Sequence, residues 1–141
     1  VIDPSIKWKA NRRLITPVDI IHSRLSKKHS VGKVLAVDFD GVIHDHKRPI
    51  DGKRMGKPLP GAEQSVNDLY NQGYTIIIHS QRANSESGKQ SIVDWLDHYG
   101  ISYSAVTALK PPADFYIDDK AVTHKDWPTT LMHIGYVPEV K

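Results

Sequence analysis

The chain has 141 residues and a mass of 15.9 kDa, which suits one domain and hardly two. Its apolar fraction of 39% and charged fraction of 25% are those of a globular protein, and the lack of cysteine excludes disulfides, thiol nucleophiles and thiolate-bound metal clusters. No apolar run approaches the roughly 20 residues that span a bilayer and no leader of signal-peptide type is visible, so a soluble, cytoplasmic protein is expected.

Residues 1–32 read as a basic N-terminal extension with one helix, ahead of a main domain over 33–141. Residues 1–33 carry eight basic groups against Asp3 and Asp19, a net +6 in a chain of net +3. Such asymmetry fits contact with a polyanion such as nucleic acid, and equally a solvated basic arm. Up to about Ile15 there is no clear period. Thr16-Pro17-Val18-Asp19 then predicts a helix start, followed by Val18, Ile21, His22 and Leu25 at helical spacing and a stop at Gly32.

Val34 to Phe39 is short, apolar and β-branched-rich, the mark of a buried parallel strand. Residues 43–60 are charged and aperiodic, enough for a β-hairpin flap. A helix opens at Pro60-Gly61-Ala62-Glu63 and closes at Gly73. A second apolar strand runs from Tyr74 to Ile78 and ends in His79-Ser80. Residues 87–99 form a further helix, then come Tyr103–Thr107, a loop through Pro111-Pro112, and a strand over Asp114–Ile117. Thr130–Ile134 reads as one more strand. This alternation predicts an α/β, three-layer Rossmann-like fold: a central parallel sheet, right-handed crossovers, helices on both faces.

In such sheets ligands bind outside the carboxyl ends of the strands. Here those ends carry Asp38 and Asp40, Ser80, and Asp118-Asp119, with Lys110 in a nearby loop. Gly41 lets the chain turn and brings backbone N–H groups toward a ligand. Four carboxylates gathered in one cleft cannot all stay ionised without a cation, and a hard divalent ion such as Mg²⁺ resolves the conflict.

The ordered set Asp38-Phe39-Asp40-Gly41-Val42, Ser80 after a strand, Lys110, and Asp118-Asp119 after a strand resembles the haloacid dehalogenase (HAD) superfamily over about residues 33–135. The resemblance implies a phosphatase-type member. Asp38 would be the nucleophile that forms an aspartyl-phosphate. Asp40 would be the general acid and base, with its pKa raised toward neutrality. Ser80 and Lys110 would hold the phosphoryl group, Lys110 also balancing the charge of Asp38. Asp38, the backbone carbonyl of Asp40, Asp118 and Asp119 would bind Mg²⁺. Neither slot where family members insert a cap is long enough for one. A capless site is open, suited to a phosphorylated small molecule or a nucleic-acid end, unless a neighbouring subunit covers it.

Other signals are weaker. Gln81 and Arg82 follow Ser80 and are candidate substrate contacts, Arg82 equally a surface ion pair. His44-Asp45-His46 suits two metal-binding imidazoles on one strand face, but more simply flap residues. His79 reads as a packed histidine and Trp95 as core. Gly52 to Lys57 has the wrong spacing for a phosphate loop, with Pro58 where a hydroxyl is needed. Two rival readings stand beside the phosphatase. One is a receiver-like signalling domain, disfavoured because its acidic pair would precede the phosphoacceptor strand. The other is a HAD-like binding module with weak turnover, recruited through its basic N-terminal segment.

Overall fold

A computed structural model of the chain describes residues 7–8, 33–50 and 55–138. Five strands form one sheet: β1 (Lys7–Trp8), β2 (Val34–Asp38), β3 (Thr75–His79), β4 (Ala105–Thr107) and β5 (Phe115–Ile117), in the order β1-β4-β3-β2-β5. Strands β2 to β5 pair in parallel, while β1 runs antiparallel along β4. The helices are α1 (Ala62–Asn71), α2 (Glu86–His98) and α3 (Trp127–His133), with a 3₁₀ turn over Gln81–Asn84. This is the α/β Rossmann-like architecture that the alternating pattern predicts.

Strands β2, β3 and β4 are buried on both faces while β5 is exposed, and side-chain alternation along the buried strands separates two clusters. Leu35 and Val37, Ile76 and Ile78, and Val106 point to one face. There they meet Val66 of α1 and Ile92, Trp95 and Leu96 of α2. Val34, Ile77 and Ala105 point to the other, beside Ala113. Full burial of an Ile or Leu side chain contributes about 1.5–3 kcal/mol, so the first cluster dominates stability. Both helices on that face end in short turns. Helix α2 begins at Ser85, whose hydroxyl accepts from the Gly88 N–H at 3.0 Å. These caps hold the helices to lengths that cross the sheet once.

Between β2 and α1 the chain makes a narrow hairpin. The Asp45 N–H donates to the Lys57 carbonyl at 2.9 Å, the Leu59 N–H to Ile43 at 2.8 Å, and the Ile50 N–H to Met55 at 3.1 Å. The expected flap is therefore a paired hairpin whose base is part of the core, with Ile43 buried. Among the described residues no domain is inserted after either β2 or β3.

Two expectations are corrected. Thr130–Ile134 is not a strand but the body of α3, because Asp126 caps the helix by accepting the Thr129 N–H at 2.8 Å and Pro128 fits the first turn. That start signal outweighs the β-branched pair Thr129-Thr130. Lys7–Trp8, where no period was visible, supplies the antiparallel edge strand. Two residues are too few to show alternation, so the pairing depends on the partner edge. The helix expected after Thr16 lies outside the described residues. So does the basic arm as a whole, except for Lys33 and the backbone of Lys7–Trp8.

Candidate active site

Register decides where the polar strand ends fall. Asp38 is paired with His79, His79 with Thr107, and Val37 with Ile117. All four parallel strands therefore finish level, and the residues after them, Ser80 and Asp118-Asp119, emerge at one edge beside Asp38. The carboxylates of Asp38, Asp118 and Asp119 come together there, each offering an oxygen within 4.8 Å of the others. Burial pushes the Asp38 carboxyl up. The Phe39 N–H, which donates to its Oδ1 at 2.9 Å, opposes this, and the charges of Asp118, Asp119 and Asp40 push it up further. Asp118 and Asp119 are exposed, and Asp118 accepts the Lys120 N–H at 2.7 Å. No cationic side chain among the described residues pairs with this trio. A set of hard oxygen donors with uncompensated charge fits a divalent cation of the Mg²⁺ type.

Asp40 belongs to a different neighbourhood. Its Oδ1 accepts from His44 Nδ1 at 2.7 Å and its Oδ2 from Arg82 Nε at 2.8 Å. Burial alone would raise its pKa, but the hydrogen bonds from Arg82 and His44 and the charge of Arg82 outweigh burial and hold the carboxyl below the usual range. The expectation of a pKa raised toward neutrality is thus corrected, since the flanking groups are donors rather than carboxylates. Each side-chain oxygen already accepts one hydrogen bond, so the backbone carbonyl of Asp40 is the less encumbered ligand for a metal.

His44 is fully buried, and its protonation is set by its partners. The Gly56 N–H donates to Nε2 at 2.8 Å, so Nε2 carries the lone pair and Nδ1 the proton given to Asp40. Burial depresses its pKa, which keeps the ring neutral despite Asp40 beside it. The ring stacks on Phe39 at 4.9 Å and meets the edge of Trp95 at 5.3 Å. Trp95 Nε1 in turn donates to the Gly56 carbonyl at 2.9 Å. Both polar atoms of Gly56 are held, and a Cβ there would lie 2.8 Å from the Arg48 carbonyl oxygen and closer still to that of Asp45. Only glycine fits between the two arms of the hairpin. The reading of His44 as a metal ligand or a loose flap residue is corrected: both its nitrogens are already taken.

The remaining predicted residues divide. Ser80 is buried at the end of β3, with its Oγ accepting the Arg82 N–H at 3.2 Å. Its own hydroxyl proton has no acceptor among the described residues. Gly41 has a φ of 85°, and a Cβ on it would lie 2.9 Å from Asp119 Cγ. Its N–H donates to the His44 carbonyl at 3.0 Å, so that group is not offered to a ligand as expected. Gly41 matters because it lets Asp119 close on the β2 turn. Gln81 is exposed and accepts from Asn84 within its own 3₁₀ turn at 2.8 Å. Lys110 is not drawn to Asp38. It is exposed, with its ammonium over the Tyr116 ring, 4.6 Å from the centroid. Sequence reasoning missed Gly56 and the indole of Trp95 as supports of Asp40. The one available hint was His44, four residues after Asp40.

No family model matches the chain, and no curated protein does. Among solved structures it is similar to a conserved protein from Bacteroides thetaiotaomicron, with 24% identity and a TM-score of 0.54. The match covers 75% of this chain and 93% of that one. The likeness bears on the fold alone, and agrees with the Rossmann-like sheet. No described helix is long and apolar enough to cross a membrane.

Proposed function

We propose that the chain is a Mg²⁺-dependent phosphomonoesterase of HAD type, working through an aspartyl-phosphate on Asp38. The observation that supports this most is the gathering of Asp38, Asp118 and Asp119 at the level ends of β2 and β5, with no cationic side chain among the described residues to balance them. An Asp38 oxygen attacks phosphorus as the bond to the leaving oxygen breaks, and Asp40, ionised at rest, first takes a proton from solvent and passes it to that oxygen. Asp40 then takes a proton from the water that attacks the phosphoenzyme, releasing inorganic phosphate and restoring Asp38. Ser80 donates its free hydroxyl proton to a phosphoryl oxygen. Lys110 joins it by leaving the Tyr116 ring, a swing its four-carbon stem allows. Asp38, Asp118, Asp119 and the Asp40 carbonyl would hold Mg²⁺, which offsets the negative charge shared by nucleophile and phosphoryl group. Without a cap among the described residues the pocket stays open, which suits a nucleotide or nucleic-acid end, and a cytoplasmic setting accords with a cysteine-free chain.

The test is release of phosphate from a panel of phosphorylated metabolites, nucleotides and 3′- or 5′-phosphorylated oligonucleotides, with Mg²⁺ and with excess chelator. Turnover that needs Mg²⁺ and disappears in Asp38→Asn is the expected result. Equal rates for the two proteins would favour the rival reading, a binding module recruited through the basic residues of the first 33.

A further inference from the structure

Asp40 is held by two donors of unlike character. His44 cannot let go of Oδ1. Its ring is fully buried, stacked between Phe39 and Trp95, and tied by its second nitrogen to Gly56. Arg82 is free to move. Its side chain is 36% exposed and it sits on a four-residue turn. Only Nε is committed, to Asp40 Oδ2, and its terminal nitrogens make no hydrogen bond or ion pair with a described residue. One oxygen of Asp40 is therefore anchored and the other is covered by a movable cation.

Position makes that cover consequential. Arg82 follows Ser80 by two residues, and its backbone N–H donates to the Ser80 hydroxyl at 3.2 Å. Arg82 thus joins the two groups assigned to the phosphoryl pocket, its backbone bonded to Ser80 and its guanidinium to Asp40. A planar fork whose terminal edge is unpaired matches a phosphoryl group's oxygens better than it matches one carboxylate oxygen. While Arg82 covers Oδ2, Asp40 has no oxygen turned to a leaving group.

Resting on the phosphatase reading above, we propose that Arg82 is an exchangeable guard: it covers Oδ2 of Asp40 in the empty site and transfers to the phosphoryl oxygens of an arriving substrate. The exchange uncovers the working oxygen only when a phosphoryl group is present, and His44 keeps the carboxylate aimed meanwhile. When phosphate leaves, Arg82 returns. His44 is a positioning residue in this scheme, and Arg82 a substrate-binding one.

Crystals of the full chain soaked with MgCl₂ and inorganic phosphate test the exchange directly. The expected structure has Arg82 Nε beyond hydrogen-bond distance of Asp40 and the guanidinium on the phosphate, with the His44–Asp40 bond retained. Arg82 still on Asp40 beside a bound phosphate overturns the guard while leaving the phosphatase reading intact. No phosphate near Asp38 at saturating concentration overturns both. Kinetics with p-nitrophenyl phosphate give an independent readout. Arg82→Ala should raise KM by about tenfold or more with kcat within a few-fold of wild type, since an anion contact is lost. His44→Phe, which keeps a ring between Phe39 and Trp95, should lower kcat with little change in KM. A loss of kcat alone in both variants would make Arg82 a fixed support and end the proposal.

Discussion

The two sides of the pocket are built on opposite terms. On the hairpin side Asp40, His44, Gly56 and Trp95 form a closed chain of hydrogen bonds, with His44 fully buried and Trp95 nearly so. On the β5 side Asp38, Asp118 and Asp119 crowd their charges near solvent, with no cation among the described residues paired to them. Satisfied polar groups inside a core stabilise a fold, whereas clustered like charges cost stability and persist where a ligand will offset them. On the proposed reading, the difference separates the part of the site that supports from the part that would take a cation and substrate.

Breaking the β5 side should give the largest effect on rate and the opposite sign in stability. Asp38→Asn is expected to cost turnover on the order of 10⁴-fold or more, as loss of a covalent nucleophile does. It should nonetheless raise the Tm of the metal-free protein near neutral pH. The Asp38 pKa is raised in the fold, so ionising it costs stability as pH rises through that value, and Asn removes the cost. A lower Tm would contradict the description of this side. Asp40→Asn should slow turnover by about 10²–10⁴-fold, the range of general acid–base effects. Here stability falls instead, by about 1–3 kcal/mol in urea unfolding, because charge-assisted bonds to Arg82 and His44 are weakened.

Smaller effects sharpen the contrast. Trp95→Phe preserves most ring packing but leaves the Gly56 carbonyl without its donor, for an expected loss of about 1–2 kcal/mol. No loss would mean that the clamp on Gly56 is idle. Adding MgCl₂ should raise the Tm of the wild type and not that of an Asp118→Asn, Asp119→Asn double variant, since a ligand stabilises only the state that binds it. The mildest signature is in pH. His44 has a folded pKa below its unfolded value near 6.5, so the unfolded chain takes up the proton first. Its contribution is fully present above that value and declines as pH falls toward the folded pKa, by at most about 1.4 kcal/mol per pH unit. Urea unfolding of His44→Phe should show a flatter profile between about pH 5 and 7 than the wild type.

Much of the frame was legible because it rests on short-range pattern. Apolar β-branched runs located β2 to β5 to within a residue or two, and helical spacing with its flanking glycines located α1 and α2 nearly as well. Polar residues at the ends of such runs marked Asp38, Ser80 and Asp118-Asp119, since a parallel sheet brings its carboxyl ends to one edge. Failures came where local signals conflicted or were too short: the Thr-rich stretch that folds as α3, and the two-residue β1. Lys110 was assigned by its place in the chain, and its ammonium lies on Tyr116 instead.

By itself the sequence determined the parallel frame and which acidic residues stand at its mouth, because burial period and strand ends are written in neighbouring residues. Only the tertiary structure decided what each carboxylate feels. Asp38 meets other carboxylates, while Asp40 meets an arginine 42 residues along the chain and a histidine fixed by a glycine 12 residues beyond it. The two aspartates are two residues apart, yet their acidities move in opposite directions, because electrostatic environment depends on distance in space and not on separation along the chain.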